Sequence, residues 1–277
     1  IAAIHDFSCV GRCALTVVIP TLSVMGYQTI PLPTALLSSH TGGFNDLYFR
    51  DLTEDMHHIS AHFERLDMTF GAIYTGFLGS VEQISVVREF IEHFGKTPDE
   101  TGKAPIILVD PVMGDDGVLY STYTQELANG IRELSTHAQV LTPNLTEACF
   151  MLKKEYKSSG YDEEYIKDLL LGLTDLGAKK AVITGVSFDN EKLGCYGYDS
   201  ETKEFFTYFN DEIKQKFHGP GDIFASVCFG SLMRGESLYD ATKKAADFVC
   251  ESIKATLNDE RPITYGVHFE KVLNTLM

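Results

Sequence analysis

Ile106-Ile107-Leu108-Val109-Asp110-Pro111 is an unbroken apolar run that ends in an acid and a proline. Four apolar residues in a row, with no polar alternation, are the pattern of a strand buried on both faces. Such strands belong to parallel sheets covered by helices on each side. Ala181-Val182-Ile183-Thr184 has the same character, and Ala2–Phe7, Gly71–Phe77 and Ala138–Leu141 read as further strands, with an extended, proline-punctuated segment over Thr29–Leu37. Between them the apolar period changes to that of helices: Ala14–Met25, Asp55–Leu66, Val81–Phe94, Gln125–Leu134, Thr146–Lys153 and Glu163–Leu176. Leu193–Tyr198 and Glu204–Phe209 alternate around Asp199-Ser200-Glu201-Thr202 and predict a hairpin, and helices are expected over Ile223–Met233, Leu238–Thr256 and Val267–Leu276. Strand–helix alternation of this kind predicts an α/β fold with a central, mostly parallel sheet, helices on both faces and a small hairpin. No linker, repeat or low-complexity stretch interrupts residues 1–277, which read as one domain.

Composition narrows the class. With 44% hydrophobic and 22% charged residues the chain is ordinary globular protein, and no apolar run approaches the roughly 20 residues of a membrane span. The start, Ile1-Ala2-Ala3-Ile4-His5-Asp6, lacks basic residues and reads as a first strand, not a signal peptide. A net charge of −16 opposes nucleic acid and anionic membranes, so neither is an expected partner. A polyphosphate would have to be held locally, by backbone N–H groups and a metal ion. The six cysteines form no C-x-x-C pair, and Cys228 and Cys250 fall within apolar helical patterns, so a reducing cytoplasm is the expected compartment.

Polar clusters fall where strands end, which is where ligands bind in open parallel sheets. His218-Gly219-Pro220-Gly221-Asp222 runs directly into the apolar helix beginning at Ile223. Helix-start N–H groups are unpaired and favour negative charge, and glycines allow close backbone approach. A phosphate there would lie beside the Asp222 carboxylate, an unfavourable neighbour unless it takes a proton from an attacking hydroxyl. Asp is equally a good helix cap, and the loop alone does not choose between the readings. Asp110-Pro111-Val112-Met113-Gly114-Asp115-Asp116-Gly117 supplies carboxylates of the kind Mg²⁺ uses, or is a polar turn. Thr142-Pro143-Asn144-Leu145-Thr146-Glu147 places Glu147 in the first turn of a helix, where capping is the plain alternative. Thr184-Gly185-Val186-Ser187 offers a hydroxyl and a glycine after a buried strand. His58 and His62 have the i,i+4 spacing of metal ligands but lack a completing carboxylate arrangement, and read as a solvated helix face.

The order of these clusters resembles the ribokinase-like superfamily: strand–Asp-Pro-x-x-Gly-Asp, strand–Thr-Pro-Asn-x-x-Glu, strand–Thr-Gly, then Gly-x-Gly-Asp–helix. His5-Asp6-Phe7-Ser8-Cys9-Val10-Gly11-Arg12 and Ser38-Ser39-His40-Thr41-Gly42 are similar to motifs of the pyridoxal kinase family. The resemblance spans nearly the whole chain. It implies a three-layer α/β/α kinase that transfers phosphate from ATP, with Mg²⁺, to the 5′-hydroxyl of a vitamin B6 vitamer, and it adds a monovalent cation as a candidate cofactor and a homodimer as the assembly. It assigns Asp222 as the base, Gly219, Pro220 and Gly221 to the anion hole, and Ser8, Thr41 and Phe77 to the vitamer. Asp110, Thr142, Asn144, Thr184 and Gly185 fall to the nucleotide phosphates, and Asp115 and Glu147 to the metal. Two residues depart from the pattern. Pro220 lacks the N–H that a small residue would offer, and Phe77 lacks the hydroxyl of the usual Tyr. Hydroxymethylpyrimidine (phosphate) kinase is the alternative enzyme, although that branch usually begins with Gly-Ser-Asp-x-x-Gly-Gly-Ala-Gly and often carries Cys where this chain has Asp222. A vitamer- or nucleotide-binding protein without turnover is the alternative of another class.

Overall fold

The computed structural model describes residues 1–277 except Gly43, Glu100, Asn190 and 261–265. Within the described residues, eleven strands and eight α-helices follow in order: β1 (Ala2–Ser8), α1 (Leu15–Val24), β2 (Ile30–Leu37), β3 (Phe49–Asp51), α2 (Thr53–Arg65), β4 (Ala72–Thr75), α3 (Val81–Phe94), β5 (Ile106–Val109), β6 (Gly114–Asp115), β7 (Val118–Leu119), α4 (Gln125–Leu134), β8 (Val140–Leu141), α5 (Leu145–Leu152), α6 (Glu163–Asp175), β9 (Lys180–Val186), β10 (Lys192–Asp199), β11 (Glu204–Asp211), α7 (Pro220–Met233) and α8 (Leu238–Leu257). Nine strands form one sheet in the order β11-β10-β9-β8-β5-β4-β1-β2-β3. The ladders from β2 through β9 are parallel. Antiparallel strands extend both edges, β3 on one side and the β10–β11 hairpin on the other.

The apolar runs read from the sequence are the centre of this sheet, and alternate residues face opposite layers. Ile107 and Val109 of β5 pack with Ile73 of β4 among the helices α2 to α6. Leu108, Ala72 and Tyr74 point the other way, toward α1 and α7. Helices α7 and α8 form the rest of that second layer with Val182 and Cys195 of the sheet. The three layers follow from two-sided burial: a strand apolar on both faces needs a helical cover on each. No helix among the described residues is long and apolar enough to cross a membrane.

Two features depart from expectation. The segment Val267–Leu276, expected as a helix, forms two short 3₁₀ turns at Phe269–Lys271 and Leu273–Leu276. Tertiary bonds replace helical ones there. Thr256 Oγ1 accepts from the His268 N–H at 2.7 Å, and Arg234 donates to the Leu276 carbonyl at 3.1 Å. Burial of Val267, Phe269 and Leu276 produces a helix-like apolar spacing without a helix. The short strands β3, β6 and β7 carry no signal in the sequence. Each is only two or three residues long, and pairing supplies what local propensity does not.

Candidate active site

The carboxyl ends of β1, β4, β5, β8 and β9 open on one edge of the sheet, and the polar clusters meet there. α7 starts at Pro220, with Gly219 as its N-cap in the left-handed region at φ 88°. A side chain at Gly219 would place its Cβ 1.9 Å from the Arg12 carbonyl oxygen, so only glycine allows this approach. Arg12 is itself clamped by a two-pronged bond to Glu270, at 2.7 and 2.9 Å. The Gly11-Arg12 motif thus braces the loop from behind. Pro220 sits at the first helical position, where a missing N–H costs the helix nothing. The N–H groups of Gly221 and Asp222 have no acceptor among the described residues, so the first turn keeps two free donors despite the proline.

Asp222 is not a conventional cap of its own helix. Its Oδ2 accepts from the Ala14 N–H at 2.9 Å, across the interface between α7 and the start of α1. Ala14 holds φ 48° and ψ −135°, a strained conformation for a residue with a Cβ, and that conformation aims its N–H at the acid. Burial pushes the Asp222 carboxyl up to about 6, against the lowering effect of the Ala14 bond.

Two cavities flank this loop. The first, of about 330 Å³, is lined by Asp6, Ser8, Phe77, Thr41, Gly219 and Asp222, with Cys13, His40, Tyr120 and His218 beside them. Ser8 Oγ donates to Asp6 Oδ2 at 2.9 Å. Burial, with Asp222 adding repulsion, pushes Asp6 up to about 7 against the Ser8 bond. His40 Nδ1 accepts from the Gly42 N–H at 3.1 Å, and its ring lies 4.9 Å from that of His218. Phe77 meets Tyr123 edge to face, with the ring centres 5.9 Å apart. The second cavity, of about 220 Å³, lies on the other side of the loop. It is lined by Thr184, Gly185, Pro220 and Gly221 at one end and by Phe224, Ala246, Val249 and Ile253 at the other.

The remaining acids singled out from the sequence line neither cavity. Asp110 and Glu147 are buried, at 6% and 4% exposure. Both are held above the usual carboxylate range, chiefly by burial. Glu147 reaches about 8, and Asp110 is raised further by repulsion from Glu147 and Asp222 while the Thr142 hydroxyl opposes the rise. Glu147 completes a capping box: its Oε2 accepts from the Asn144 N–H at 2.8 Å, and Asn144 Oδ1 accepts from the Glu147 N–H at 2.9 Å. Glu147 Oε1 also accepts from the Met113 N–H at 3.1 Å, while Asn144 Nδ2 donates to the Gly114 carbonyl at 2.8 Å. The Asn144 side chain is therefore spent on holding the 110–117 turn against α5. Asp115 is exposed on β6, and Lys216 pairs with its neighbour Asp116, tying the β6–β7 hairpin to the segment that leads into Gly219. Among the described residues no three His, Cys, Asp or Glu side chains converge as a preformed metal cage.

Of the residues singled out from the sequence, Ser8, Thr41, Phe77, Gly219 and Asp222 share one cavity, and Thr184, Gly185, Pro220 and Gly221 share the other. Asp110, Thr142 and Glu147 are buried and line neither cavity, and Asp115 is exposed on β6, near enough to Glu147 to raise its proton affinity. Asp6, Cys13, His40, Tyr120 and His218 also line the first cavity, although sequence reasoning gives them no site role. Asp6 does carry a signal, an acid near the end of a strand that begins with the apolar run Ala2-Ala3-Ile4.

Comparison with known proteins shows which family and fold the chain shares. A crystal structure of a candidate phosphomethylpyrimidine kinase from Bacteroides thetaiotaomicron, in an orthorhombic form with pyridoxal, superposes with a TM-score of 0.93 at 41% identity, covering 99% of this chain and 94% of that one. Pyridoxal kinase from Lactobacillus plantarum superposes at 0.89 with 28% identity, covering 99% and 95%. The hydroxymethylpyrimidine/phosphomethylpyrimidine kinase of Staphylococcus aureus is 27% identical over 221 residues, 75% of this chain and 74% of its own length. The profile of the phosphomethylpyrimidine kinase family matches residues 15–264. With two cavities meeting at a glycine-lined helix start and this extent of similarity, the chain belongs to the phosphomethylpyrimidine kinase family of the ribokinase-like superfamily, and pyridoxal kinases are among its relatives.

Proposed function

We propose that this protein is a pyridoxal kinase, transferring the terminal phosphate of ATP to the 5′-hydroxyl of a vitamin B6 vitamer. The observation that carries the reading is the pair of cavities sharing the 219–222 loop: Gly219 and Asp222 line one, Pro220 and Gly221 the other. Phosphoryl transfer needs an acceptor and a donor on opposite sides of an anion-stabilising element, in line with each other. The larger cavity suits a small ring with hydroxyl substituents: Phe77 offers a flat apolar face, and Ser8, Thr41 and Asp6 offer hydrogen-bonding groups. The second cavity suits an adenine, with apolar walls from α7 and α8 and the hydroxyl of Thr184 and backbone of Gly185 at the phosphate end.

In this reading Asp222 accepts the proton of the 5′-hydroxyl as the oxygen attacks phosphorus. A carboxyl at about 6 is ionised at neutral pH yet basic enough to take part in proton transfer. The Ala14 N–H holds the carboxylate in place, leaving its other oxygen for the substrate. The N–H groups of Gly221 and Asp222, at the positive end of α7, stabilise charge on the transferring group. Asp110 and Glu147 repel one another in a setting with too much negative charge, and that donor set fits Mg²⁺. Such an ion supplies neutralisation of the polyphosphate. Glu147, with both oxygens committed to backbone N–H groups, orients the 110–117 turn and contributes charge, and Asp110 is the freer ligand. Asp115, exposed on β6, contributes long-range charge in this scheme.

Asp222 and the His5–Arg12 motif favour the vitamer over hydroxymethylpyrimidine, as does the similarity to a crystal form with pyridoxal. The test is turnover with ATP and Mg²⁺ across pyridoxal, pyridoxamine, pyridoxine and hydroxymethylpyrimidine. The highest kcat/KM is expected with one of the vitamers. Product from hydroxymethylpyrimidine alone would assign the other branch, and nucleotide binding with no product from any of the four would make the protein a binder.

A further inference from the structure

The loop before α1 touches both working parts of the 219–222 turn. A Cβ on Gly219 would lie 1.9 Å from the Arg12 carbonyl oxygen, and two residues further on the Ala14 N–H donates to Asp222 Oδ2 at 2.9 Å. Whatever sets the path of residues 12–14 therefore sets both the donors of the turn and the direction of the acid. Thr16 stiffens this path locally, its hydroxyl donating to the Cys13 carbonyl at 2.7 Å. A second support comes from residues 266–270. Arg12 Nε donates to both carboxylate oxygens of Glu270, at 2.7 and 2.9 Å, and the Arg12 side chain is only 26% exposed. Gly266 approaches the same place with its backbone. A Cβ on it would lie 3.0 Å from the His218 carbonyl oxygen and 3.1 Å from the Arg12 carbonyl oxygen. Residues 266–270 thus meet the residue before Gly219 and the residue that braces it. Their own backbone is anchored. Val267 and Phe269 are buried in one apolar cluster with Phe224 and Val227 of α7 and Phe248 of α8, and the His268 N–H donates to Thr256 of α8. Glu270 is presented from the core that also holds α7.

We infer that Glu270 is a positioning residue for phosphoryl transfer, acting through Arg12 to hold the Gly219 turn and the Asp222 carboxylate in register with each other. The inference rests on the pyridoxal kinase reading for the reaction it serves. Neither Glu270 nor Arg12 lines either cavity, so the effect is indirect. Half-exposed ion pairs contribute little to global stability. A charge-assisted bond between two anchored segments nevertheless fixes a local geometry. Preorganised donors and an aligned base count most in the transition state, so slackening them lowers kcat and leaves vitamer binding alone.

The test is a double-mutant cycle on the full chain: Glu270→Ala, Arg12→Ala and the two together, with ATP, Mg²⁺ and pyridoxine. Each single variant is expected to lower kcat about 10-fold, short of the roughly 10²–10³-fold for deleting an oxyanion donor outright, with KM for pyridoxine unchanged. The double variant should be no slower than either single one, because the two residues act as a unit. Tm should stay close to wild type. Hydrogen exchange reads the same contact without turnover. The Ala14 amide should exchange faster in Glu270→Ala, while the amides of α3, on the other face of the sheet, keep wild-type protection. If Glu270→Ala does not fold, Glu270→Gln, which removes the charge and one acceptor, carries the same expectations. Wild-type kcat in the Glu270 variant would overturn the inference. So would a fall in kcat that only tracks a lower Tm, because that is what a merely structural Glu270 predicts. Should the wild type phosphorylate no vitamer, the kinase reading falls, and faster Ala14 exchange in the variant still upholds the brace. Phosphorylation of pyridoxine with kcat and Ala14 exchange unaltered in both single variants would do the reverse.

Discussion

The carboxylate of Asp222 is held at 2.9 Å by the backbone N–H of Ala14, a residue 208 positions earlier in the chain. Ala14 adopts φ 48° to make that bond, and its side chain is buried. A single strained alanine therefore couples the start of α1 to the start of α7 and fixes the direction of the acid. Asp222→Asn keeps the volume and one acceptor oxygen, so the fold is expected to survive while turnover falls about 10²–10⁴-fold, the range for loss of a general base. Measured kcat beside an unchanged melting profile checks this, and near-full activity would remove Asp222 from the role of base.

The stability of the ligand-free protein should fall as pH rises from about 4 to about 8. Asp222 is raised from 3.8 to about 6, Asp6 from 3.8 to about 7 and Glu147 from 4.5 to about 8. For a raised carboxyl the folded state binds the proton more tightly than the unfolded state. Its contribution is thus fully present below the unfolded value and is lost as pH climbs through the folded one. Thermal melts across this range should show Tm declining with pH, and a Tm rising steadily to pH 8 would contradict the burial of these acids. Mg²⁺ with ATP should restore Tm most at the alkaline end, where the acids are ionised, because a ligand that binds only the folded state stabilises it.

Gly219 and Gly221 look alike in sequence and should behave differently. Gly219→Ala imposes a Cβ at φ 88° and 1.9 Å from the Arg12 carbonyl, and is expected to cost about 1–3 kcal/mol or more together with activity. A Cβ added at Gly221 would meet nothing within 4 Å, and its φ is not positive, so Gly221→Ala should leave Tm unchanged. Any loss it causes must come from a methyl group obstructing the ligand, seen as a fall in kcat/KM for ATP. Parallel Tm and kinetic measurements on the two variants separate loop architecture from ligand approach.

Glu147 combines an architectural and an electrostatic duty. Glu147→Ala deletes its half of the capping box and the Met113 contact, and should destabilise by about 1–3 kcal/mol, as for a buried N–H left without its partner. Glu147→Gln keeps an acceptor for one N–H and removes the charge. It should retain more stability than the alanine variant and raise the Mg²⁺ concentration needed for half-maximal activity. Denaturant midpoints and a Mg²⁺ titration of turnover distinguish the two roles. An unchanged Mg²⁺ requirement in the glutamine variant would confine Glu147 to capping.

Much of the architecture is legible along the chain. Ile106–Val109 and Ala181–Thr184 announce strands covered on both faces, and the acids and hydroxyls just beyond them mark the rim. Both are local properties: hydropathy period and strand-end chemistry survive in any short window. The Val267–Leu276 segment misleads because its apolar spacing records burial beside α8, and a backbone bonded by Thr256 and Arg234 has the same spacing as a helix. For Glu147 the sequence leaves capping and metal binding as alternatives, and the structure shows that capping and proximity to Asp110 hold together.

The amino-acid sequence by itself determined the α/β alternation, the strand-end clusters and the glycine-bearing helix start, since each is written in neighbouring residues. Only the tertiary structure decided that Asp222 is gripped by Ala14, that Gly219 is required by the Arg12 carbonyl, and that Asp6 lines the same cavity as Asp222. These depend on contacts across long sequence separations and on which face of β1 turns toward α7. A hydropathy pattern records that a residue is buried, and the assembled sheet alone sets which neighbours and which charges it is buried among.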